Sequence, residues 1–154
     1  ALHSGMAGGG DIILLPEIPF DIHRIGDAII NRLKKGKPYS IVVVAEGIPT
    51  IGGKKAAQYI AEEIEYETGF ETRETVLGYI QRGGSPTAYD RNLATRMGGH
   101  ATELIAQGMF GRMVALKGNA IESVPLSEVA SKLKLVTEDH DLVVQGRRMG
   151  ICFG

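Results

Sequence analysis

The sequence predicts an α/β fold with a layered, mostly parallel sheet and helices on both faces. Short, continuous apolar runs alternate with longer segments of helical periodicity, which is the pattern of parallel strands joined by crossover helices. Proline or glycine-rich loops follow these runs, as expected where a buried strand ends. The length of 154 residues suits one domain or a large part of a bigger protein.

The first half of the sequence contains two repeats of a strand followed by a helix. Residues 12–15 are a continuous apolar run that stops at Pro16, and residues 22–33 then repeat apolar side chains at helical spacing. Residues 41–44 form a second apolar run, followed by a glycine-rich loop and an amphipathic helix that begins near Ala56. This repetition predicts two neighbouring strands with a helix after each.

The next segment predicts a third strand and a long helix. Residues 74–80 have the composition of a strand, and the loop at residues 81–86 ends it. A helix over residues 89–107 follows and ends at Gly108. We expect the inward side of this helix to carry Leu93, Met97, Ala101, Leu104 and Ile105.

The last quarter predicts short elements. Residues 113–116 and 120–124 flank Gly118-Asn119, which is typical of either a hairpin or two strands joined by a tight turn. Two shorter helical patterns follow, near residues 127–133 and 142–149, before a terminal apolar segment.

Composition and charge exclude several classes of protein. The formal net charge is −1, with 17 Lys and Arg against 18 Asp and Glu, so the broad basic field of a nucleic-acid-binding protein is absent. The sequence contains no apolar run of about 20 residues that could span a bilayer. Cys152 is the only cysteine, which predicts no internal disulfide and favours the cytoplasm. The opening residues lack the pattern of a signal peptide, and Ala1 favours a truncated parent protein.

Polar residues just after the apolar runs are the first candidates for ligand binding, because ligands gather at the carboxyl ends of parallel strands. Glu46 follows the second run directly, where it is either a ligand-binding carboxylate or an exposed loop acid. Arg82 precedes Gly83 and Gly84, where it is either a guanidinium that binds phosphate oxygens beside an open backbone or a solvated arginine next to a tight turn. Arg73 lies at the opposite end of the predicted third strand, so a shared ligand would require a site formed across a subunit interface.

The segment ETRETVLGYIQRGGSPTAYDR resembles the signature of the 6-phosphofructokinase family, in which an LGxxQRGG core is followed by SP and a DR pair. The opening AGGGDIILLPE is similar to the family's AGG followed by a strand ending in PE. The family's RMG recurs at residues 96–98. The resemblance covers essentially the whole chain and implies the C-terminal part of such an enzyme.

The resemblance implies a role for four residues in binding fructose 6-phosphate. Glu46 would bind sugar hydroxyls, Arg82 would bind the 6-phosphate, and Arg73 would reach the same phosphate from a neighbouring subunit. Tyr79 stands where many bacterial members have a phosphate-binding histidine, and its phenol can donate one hydrogen bond without positive charge. The implied assembly is a homodimer or homotetramer with a shared active site.

The resemblance also implies a regulatory site at three residues. Lys35 and Lys37 match lysines that bind effector phosphates in allosteric bacterial members, and Asp11 matches a metal-binding glutamate. The preceding helix dipole is a sufficient explanation for both lysines, and the start of a strand is a common position for an acid such as Asp11.

The family's donor-binding segments, its TIDND motif with the aspartate base and its MGR motif belong upstream of this chain. The resemblance therefore implies that Mg²⁺ with ATP or pyrophosphate binds in a missing N-terminal half. We expect no catalytic residue, no metal ligand and no kinase activity in these 154 residues alone.

The sequence gives little support for a nucleotide-binding loop or a metal site. Residues 5–10 precede a strand and lack G-x-G-x-x-G spacing, which excludes a dinucleotide loop, and Lys55 stands where a P-loop needs Ser or Thr. The four histidines are scattered, so a metal site is not predicted. A non-catalytic sugar-phosphate-binding or regulatory module on the same half-fold stays open as the alternative.

Overall fold

A computed structural model of the chain describes residues 1–130 and 132–154. The chain forms two compact units, which are residues 1–76 with 135–154 (unit 1) and residues 77–134 (unit 2). In chain order the elements are α1 (Leu2–Ala7), β1 (Ile12–Leu14), α2 (Ile22–Lys34), β2 (Val42–Val44), α3 (Ala56–Thr68), a 3₁₀ helix (Gly78–Arg82), α4 (Ala88–Ala106), β3 (Arg112–Lys117), β4 (Ala120–Pro125), α5 (Leu126–Val129) and α6 (Asp141–Arg148).

Strand β1 is the centre of unit 1. It pairs in parallel with β2, with Ile12 opposite Val42, and Ile12 forms a parallel bridge with Cys152 on its other side. The alternating side chains of β1 enter two separate cores. Ile12 and Leu14 pack with buried residues of α2 and α3, whereas Ile13 packs with residues of α1 and α6. The α/β class and the parallel sheet with helices on both faces are therefore confirmed for this unit.

The helix α2 forms where the apolar periodicity predicts it. The Asp21 carboxylate accepts a hydrogen bond from the His23 backbone amide at the N-terminus, and Gly36 takes a positive φ of 78° just beyond the C-terminus. Ile25 and Ile29 are buried as the periodicity requires. Leu33, on the same stripe, is 45% exposed, because it lines an open cleft described below.

The prediction of a third strand at residues 74–80 is wrong. Residues 70–77 have no regular secondary structure, and the 3₁₀ helix occupies the rest of the predicted strand. Gly78 adopts a positive φ of 47°, which an extended strand does not accommodate. Arg82 consequently lies at the end of a 3₁₀ helix and not at the end of a strand.

The long helix and the hairpin of unit 2 are confirmed. Helix α4 spans nearly the predicted residues, and β3 and β4 form an antiparallel hairpin, which settles the alternative left open by Gly118-Asn119. Leu104 is buried as expected. Ile105 is 62% exposed, so its predicted place on the inward side is wrong. Successive residues of a helix point about 100° apart, and the side that holds Leu104 turns Ile105 away from the hairpin.

The C-terminal elements agree in part with the helices that the sequence predicts. Helix α6 forms as predicted, and Phe153 is buried against it. The helix predicted at residues 127–133 includes Ser131, which lies outside the described residues. In the described part, helix α5 ends at Val129 and Lys132 and Leu133 are not helical. No helix of the described residues is long and apolar enough to cross a membrane.

Candidate functional site

Glu46 lies at the carboxyl edge of the parallel sheet of unit 1, in a turn that two contacts fix. The Ala45 amide donates to the Leu14 carbonyl at 3.0 Å, and the Ile48 amide donates to the Ala45 carbonyl at 3.2 Å. Ile48 is buried in the core, which anchors the turn from below. The Glu46 side chain is exposed, and its carboxylate has no ion pair with any of the described residues. The carboxylate is therefore free to accept hydrogen bonds from a ligand.

The neighbouring strand end has the same local structure but a different acid. The Ile18 amide donates to the Leu15 carbonyl at 3.2 Å, which repeats the turn at Glu46. Glu17 in this turn is occupied, because its carboxylate accepts a hydrogen bond from the Val136 amide at 3.1 Å. Of these two acids, Glu46 is therefore the one whose carboxylate makes no hydrogen bond or ion pair with the described residues.

Arg82 is presented by the last turn of the 3₁₀ helix in unit 2. Its side chain is exposed and forms no ion pair with the described residues. Gly84 follows with a positive φ of 106°, a conformation that favours glycine and leaves the adjacent backbone open. An unpaired guanidinium beside such a turn can donate two parallel hydrogen bonds to a phosphate group.

Tyr79 and Arg82 lie close together. The guanidinium carbon of Arg82 is 5.5 Å from the centroid of the Tyr79 ring, within the range of a cation–π contact. Both side chains are exposed. The ring limits the directions that the guanidinium takes, while the phenol hydroxyl offers one further donor.

A capping box fixes the start of α4 directly after the Arg82 loop. The Asp90 amide donates to the Thr87 hydroxyl at 3.2 Å, and the Asp90 carboxylate accepts from the Thr87 amide at 2.8 Å. The hydrogen bonds from Thr87 lower the pKa of the Asp90 carboxyl. The spacing of a threonine and an acid three residues later is a sequence signal of this motif, and our sequence analysis missed it.

Arg73 lies in unit 1 and is exposed, and its guanidinium pairs with the Glu71 carboxylate at 2.7 Å. An exposed pair of this kind contributes little and can exchange for a ligand. Arg73 also lines a cleft of about 360 Å³ between α2, β2, α3 and residues 70–75, together with Lys37. Glu71 and Glu74 line the same cleft, so its charges balance. Glu46 is not among its lining residues.

Asp11 joins three elements of unit 1. One carboxylate oxygen accepts from the Arg32 guanidinium at 2.8 Å and the other accepts from the Ile41 amide at 2.8 Å. The Asp11 side chain is 14% exposed and that of Arg32 is 29% exposed. This carboxylate thus ties the start of β1 to the end of α2 and to the residue before β2.

Lys35 and Lys37 flank Gly36 just after α2, and both are exposed. Lys37 and Asp11 line one surface depression, whereas Lys35 is not among its lining residues. The structure therefore brings together two of the three residues of the implied regulatory site. No group of three or more His, Cys, Asp or Glu side chains that could hold a metal ion occurs in residues 1–130 and 132–154.

Residues 1–105, which include the sheet, Glu46 and the Arg82 loop, match the family model described as phosphofructokinase. The chain belongs to the phosphofructokinase family. The resemblance seen in the sequence is thereby confirmed.

Two curated members of the phosphofructokinase family illustrate the extent of the match. The chain is 80% identical over 154 residues to the ATP-dependent 6-phosphofructokinase 3 of Bacteroides thetaiotaomicron, covering all of this chain and 46% of that protein. It is 47% identical to the ATP-dependent 6-phosphofructokinase of Spirochaeta thermophila, covering all of this chain and 47% of that protein. The chain thus spans about half the length of these phosphofructokinases.

Solved phosphofructokinase structures share the fold. The pyrophosphate-dependent phosphofructokinase from Nitrosospira multiformis matches with a TM-score of 0.69 at 28% identity, over 83% of this chain and 35% of that chain. The pyrophosphate-dependent phosphofructokinase from Marinobacter aquaeolei matches with a TM-score of 0.69 at 24% identity, over 94% of this chain and 37% of that chain. At this identity the match is evidence for the fold and not for the function.

Proposed function

We propose that the full-length protein transfers the terminal phosphoryl group of ATP to the 1-hydroxyl of fructose 6-phosphate, and that this chain supplies most of the sugar-phosphate site. Membership of the phosphofructokinase family supports the reaction. ATP is the preferred proposal because the relative at 80% identity is named for that donor, whereas the two solved structures named for pyrophosphate are only 28% and 24% identical to the chain.

The observation that carries this proposal is the exposed, unpaired Arg82 guanidinium beside a glycine turn. A sugar phosphate carries close to two negative charges at neutral pH, which a planar guanidinium binds through two charge-assisted hydrogen bonds. The nearby Tyr79 hydroxyl adds a neutral donor to the same phosphate.

Glu46 is proposed to bind hydroxyl groups of the sugar. Its carboxylate is free at the carboxyl edge of the sheet, which is where open α/β folds bind ligands. A carboxylate accepts hydrogen bonds only, so it suits hydroxyl donors and repels phosphate. The Glu46 carboxylate is therefore assigned to the sugar hydroxyls and not to the phosphate.

Arg73 is proposed to bind the 6-phosphate of a fructose 6-phosphate molecule held in the site of a neighbouring subunit. It already binds a carboxylate, Glu71, in an exposed pair that a phosphate dianion can replace. This role requires a homo-oligomer, and a dimer or tetramer with a shared active site is part of the proposal.

The donor, its Mg²⁺ and the catalytic aspartate are proposed to belong to the part of the full-length protein outside this chain. When bound, Mg²⁺ neutralises the charge that develops on the transferred phosphoryl group. The proposal assigns substrate binding to these 154 residues and assigns them no kinase activity of their own. A cytoplasmic location and allosteric regulation through Asp11, Lys35 and Lys37 are further predictions from the family.

The experiment is a comparison of donors on the full-length protein. Purified protein is incubated with fructose 6-phosphate, Mg²⁺ and either ATP or pyrophosphate, and fructose 1,6-bisphosphate is measured by a coupled assay. We expect product with ATP. Binding of fructose 6-phosphate without turnover of either donor would instead identify a non-catalytic sugar-phosphate-binding module.

A further inference from the structure

Two turns lie side by side at the carboxyl edge of the parallel sheet in unit 1. Residues 15–18 form the turn after β1, and residues 45–48 form the turn after β2. The Ala45 amide donates to the Leu14 carbonyl at 3.0 Å, which joins the two strand ends. Glu46, the proposed ligand of the sugar hydroxyls, stands in the second of these turns.

The ring of Pro16 in the first turn packs against Gly47 in the second. A β-carbon on Gly47 would lie 3.3 Å from the Cγ atom of Pro16 and 4.0 Å from its Cβ atom. The nearer distance is shorter than an ordinary van der Waals contact, so a side chain on Gly47 would force one of the turns to shift by a few tenths of an ångström. The φ angle of Gly47 lies outside the left-handed region. The Pro16 ring, and not the backbone conformation, is therefore what opposes a side chain at this position.

The turn that carries Pro16 is firmly held. Leu15 and Ile18 are 3% and 4% exposed, and both pack in the core shared with α1 and α6. Between them, the Glu17 carboxylate accepts a hydrogen bond from the Val136 amide at 3.1 Å. Because buried side chains and a long-range hydrogen bond fix this turn, the Pro16 ring is a rigid wall.

The turn that carries Glu46 has fewer anchors. Ile48 is buried, at 7% exposure, whereas Glu46, Gly47 and Pro49 are exposed. Exposed backbone and side chains move at little cost, since no packed neighbour resists them. When the two turns are forced apart, we therefore expect this turn to shift and to displace the Glu46 carboxylate.

We infer that Pro16 and Gly47 position the Glu46 carboxylate for the hydroxyl groups of the sugar phosphate. The Pro16 ring occupies the place that a side chain on Gly47 would need, so the second turn packs directly against it and Glu46 is held in one position. Both are positioning residues, which act through Glu46 and need no contact with the sugar. The inference rests on the proposed role of Glu46 in binding the sugar hydroxyls.

Steady-state kinetics of the full-length enzyme test this inference in a double-mutant cycle of Gly47→Ala and Pro16→Ala. With the ring present, Gly47→Ala should raise the KM for fructose 6-phosphate by about tenfold, because a displaced acceptor weakens its hydrogen bonds, and should leave the KM for ATP within about twofold. With Pro16→Ala already in place, adding Gly47→Ala should change the sugar KM by less than about twofold. Gly26→Ala in α2 is the matched control, since its β-carbon would make an ordinary contact of 3.6 Å with Thr68.

Two kinetic results would overturn the inference. One is a sugar KM in Gly47→Ala equal to that of the control, and the other is the same rise with and without the Pro16 ring. Glu46→Gln in the same assay separates the inference from the proposed function. A raised sugar KM in Glu46→Gln beside an unchanged one in Gly47→Ala contradicts the positioning role alone. An unchanged sugar KM in Glu46→Gln contradicts the proposed role of Glu46, and the positioning role with it.

Crystal structures of the full-length protein and its Gly47→Ala variant give a readout that does not depend on turnover. Gly47 is exposed, so the change should alter the turn and leave the core intact. After superposition on β1, Glu46 should be displaced and Pro16 should stay in place. A displaced Pro16 ring beside an unmoved Glu46 would show that the wall yields, which also overturns the inference.

Discussion

The Arg82 guanidinium carbon lies 5.5 Å from the centroid of the Tyr79 ring, and both side chains are exposed on the 3₁₀ helix that precedes the glycine turn. The ring thus supports the guanidinium while the phenol hydroxyl stays free. The two residues form one phosphate-binding unit in the proposed site. Changes at either position should raise the KM for fructose 6-phosphate and leave the KM for the phosphoryl donor unchanged.

Tyr79→Phe tests the phenol hydroxyl in the full-length enzyme. The ring stays beside Arg82, but one donor to the phosphate is lost. Because a hydrogen bond to a charged group contributes roughly 1.5–3 kcal/mol, the KM for fructose 6-phosphate should rise by about tenfold or more. Tyr66→Phe is the control, since Tyr66 is 86% exposed on α3. Equal sugar KM values for Tyr79→Phe and the unmodified enzyme would remove the hydroxyl from the site.

Asp11→Ala should destabilise the full-length protein. The change leaves the partly buried Arg32 without its carboxylate and the Ile41 amide without its acceptor. A loss of about 1–3 kcal/mol in the free energy of unfolding is expected, as for other partners left unsatisfied. Denaturant unfolding gives the value, with Asp139→Ala in an exposed turn as control. An unchanged stability would mean that the pair has no structural role.

Gly146→Ala tests the packing of α6. A β-carbon at this position would lie 2.9 Å from two ring atoms of Phe153 and 3.2 Å from the Met6 sulfur. Phe153 is only 3% exposed, so the ring cannot move into solvent without loss of burial. Overpacking should cost about 1–3 kcal/mol in denaturant unfolding. Arg148→Ala on the same helix is the control. Equal effects of the two changes on the free energy of unfolding would show that the contact of Gly146 with Phe153 does not limit the packing of α6.

The contact between α2 and α3 should depend on pH through His23. The His23 ring nitrogen lies 2.9 Å from the Glu67 carboxylate, and this hydrogen bond, with the charge of Glu67, raises the pKa of His23 above 6.5. The stabilisation is therefore complete below the unfolded pKa and disappears as the pH rises through the higher, folded value.

NMR titration of His23 in the full-length protein and in the Glu67→Gln variant measures this effect. The midpoint should fall in the variant, and the difference in stability between the two proteins should be larger at acidic than at alkaline pH. Identical midpoints would show that Glu67 does not bind the protonated ring.

The sequence predicted unit 1 well because its strands are buried on both faces and its helices carry clear apolar stripes. Ile12 to Leu14 and the stripe through Ile25 and Ile29 formed as expected. The two-sided core around β1 was implied by the unbroken apolar run, since alternate residues of a strand must face opposite layers. Glu46 was placed correctly at the end of β2 because that position follows from the strand alone.

The errors occurred where contacts distant in sequence decide the structure. Residues 74–80 read as a strand, but a strand requires a paired neighbour, and Gly78 instead turns the chain into a 3₁₀ helix. The pairs of Arg73 with Glu71 and of Asp11 with Arg32 could not be read from spacing, because other acids and bases stand equally near in sequence. The roles of Glu46, Arg73, Tyr79 and Arg82 in binding stay predictions.

Steady-state kinetics of Arg82→Ala in the full-length enzyme test the central claim most directly, with Arg24→Ala, an exposed arginine on α2, as control. Loss of two charge-assisted hydrogen bonds should raise the KM for fructose 6-phosphate by about 100-fold, while the KM for the phosphoryl donor stays within about twofold. A sugar KM equal to that of Arg24→Ala, or an equal rise in the donor KM, would contradict the assignment of Arg82 to the sugar phosphate.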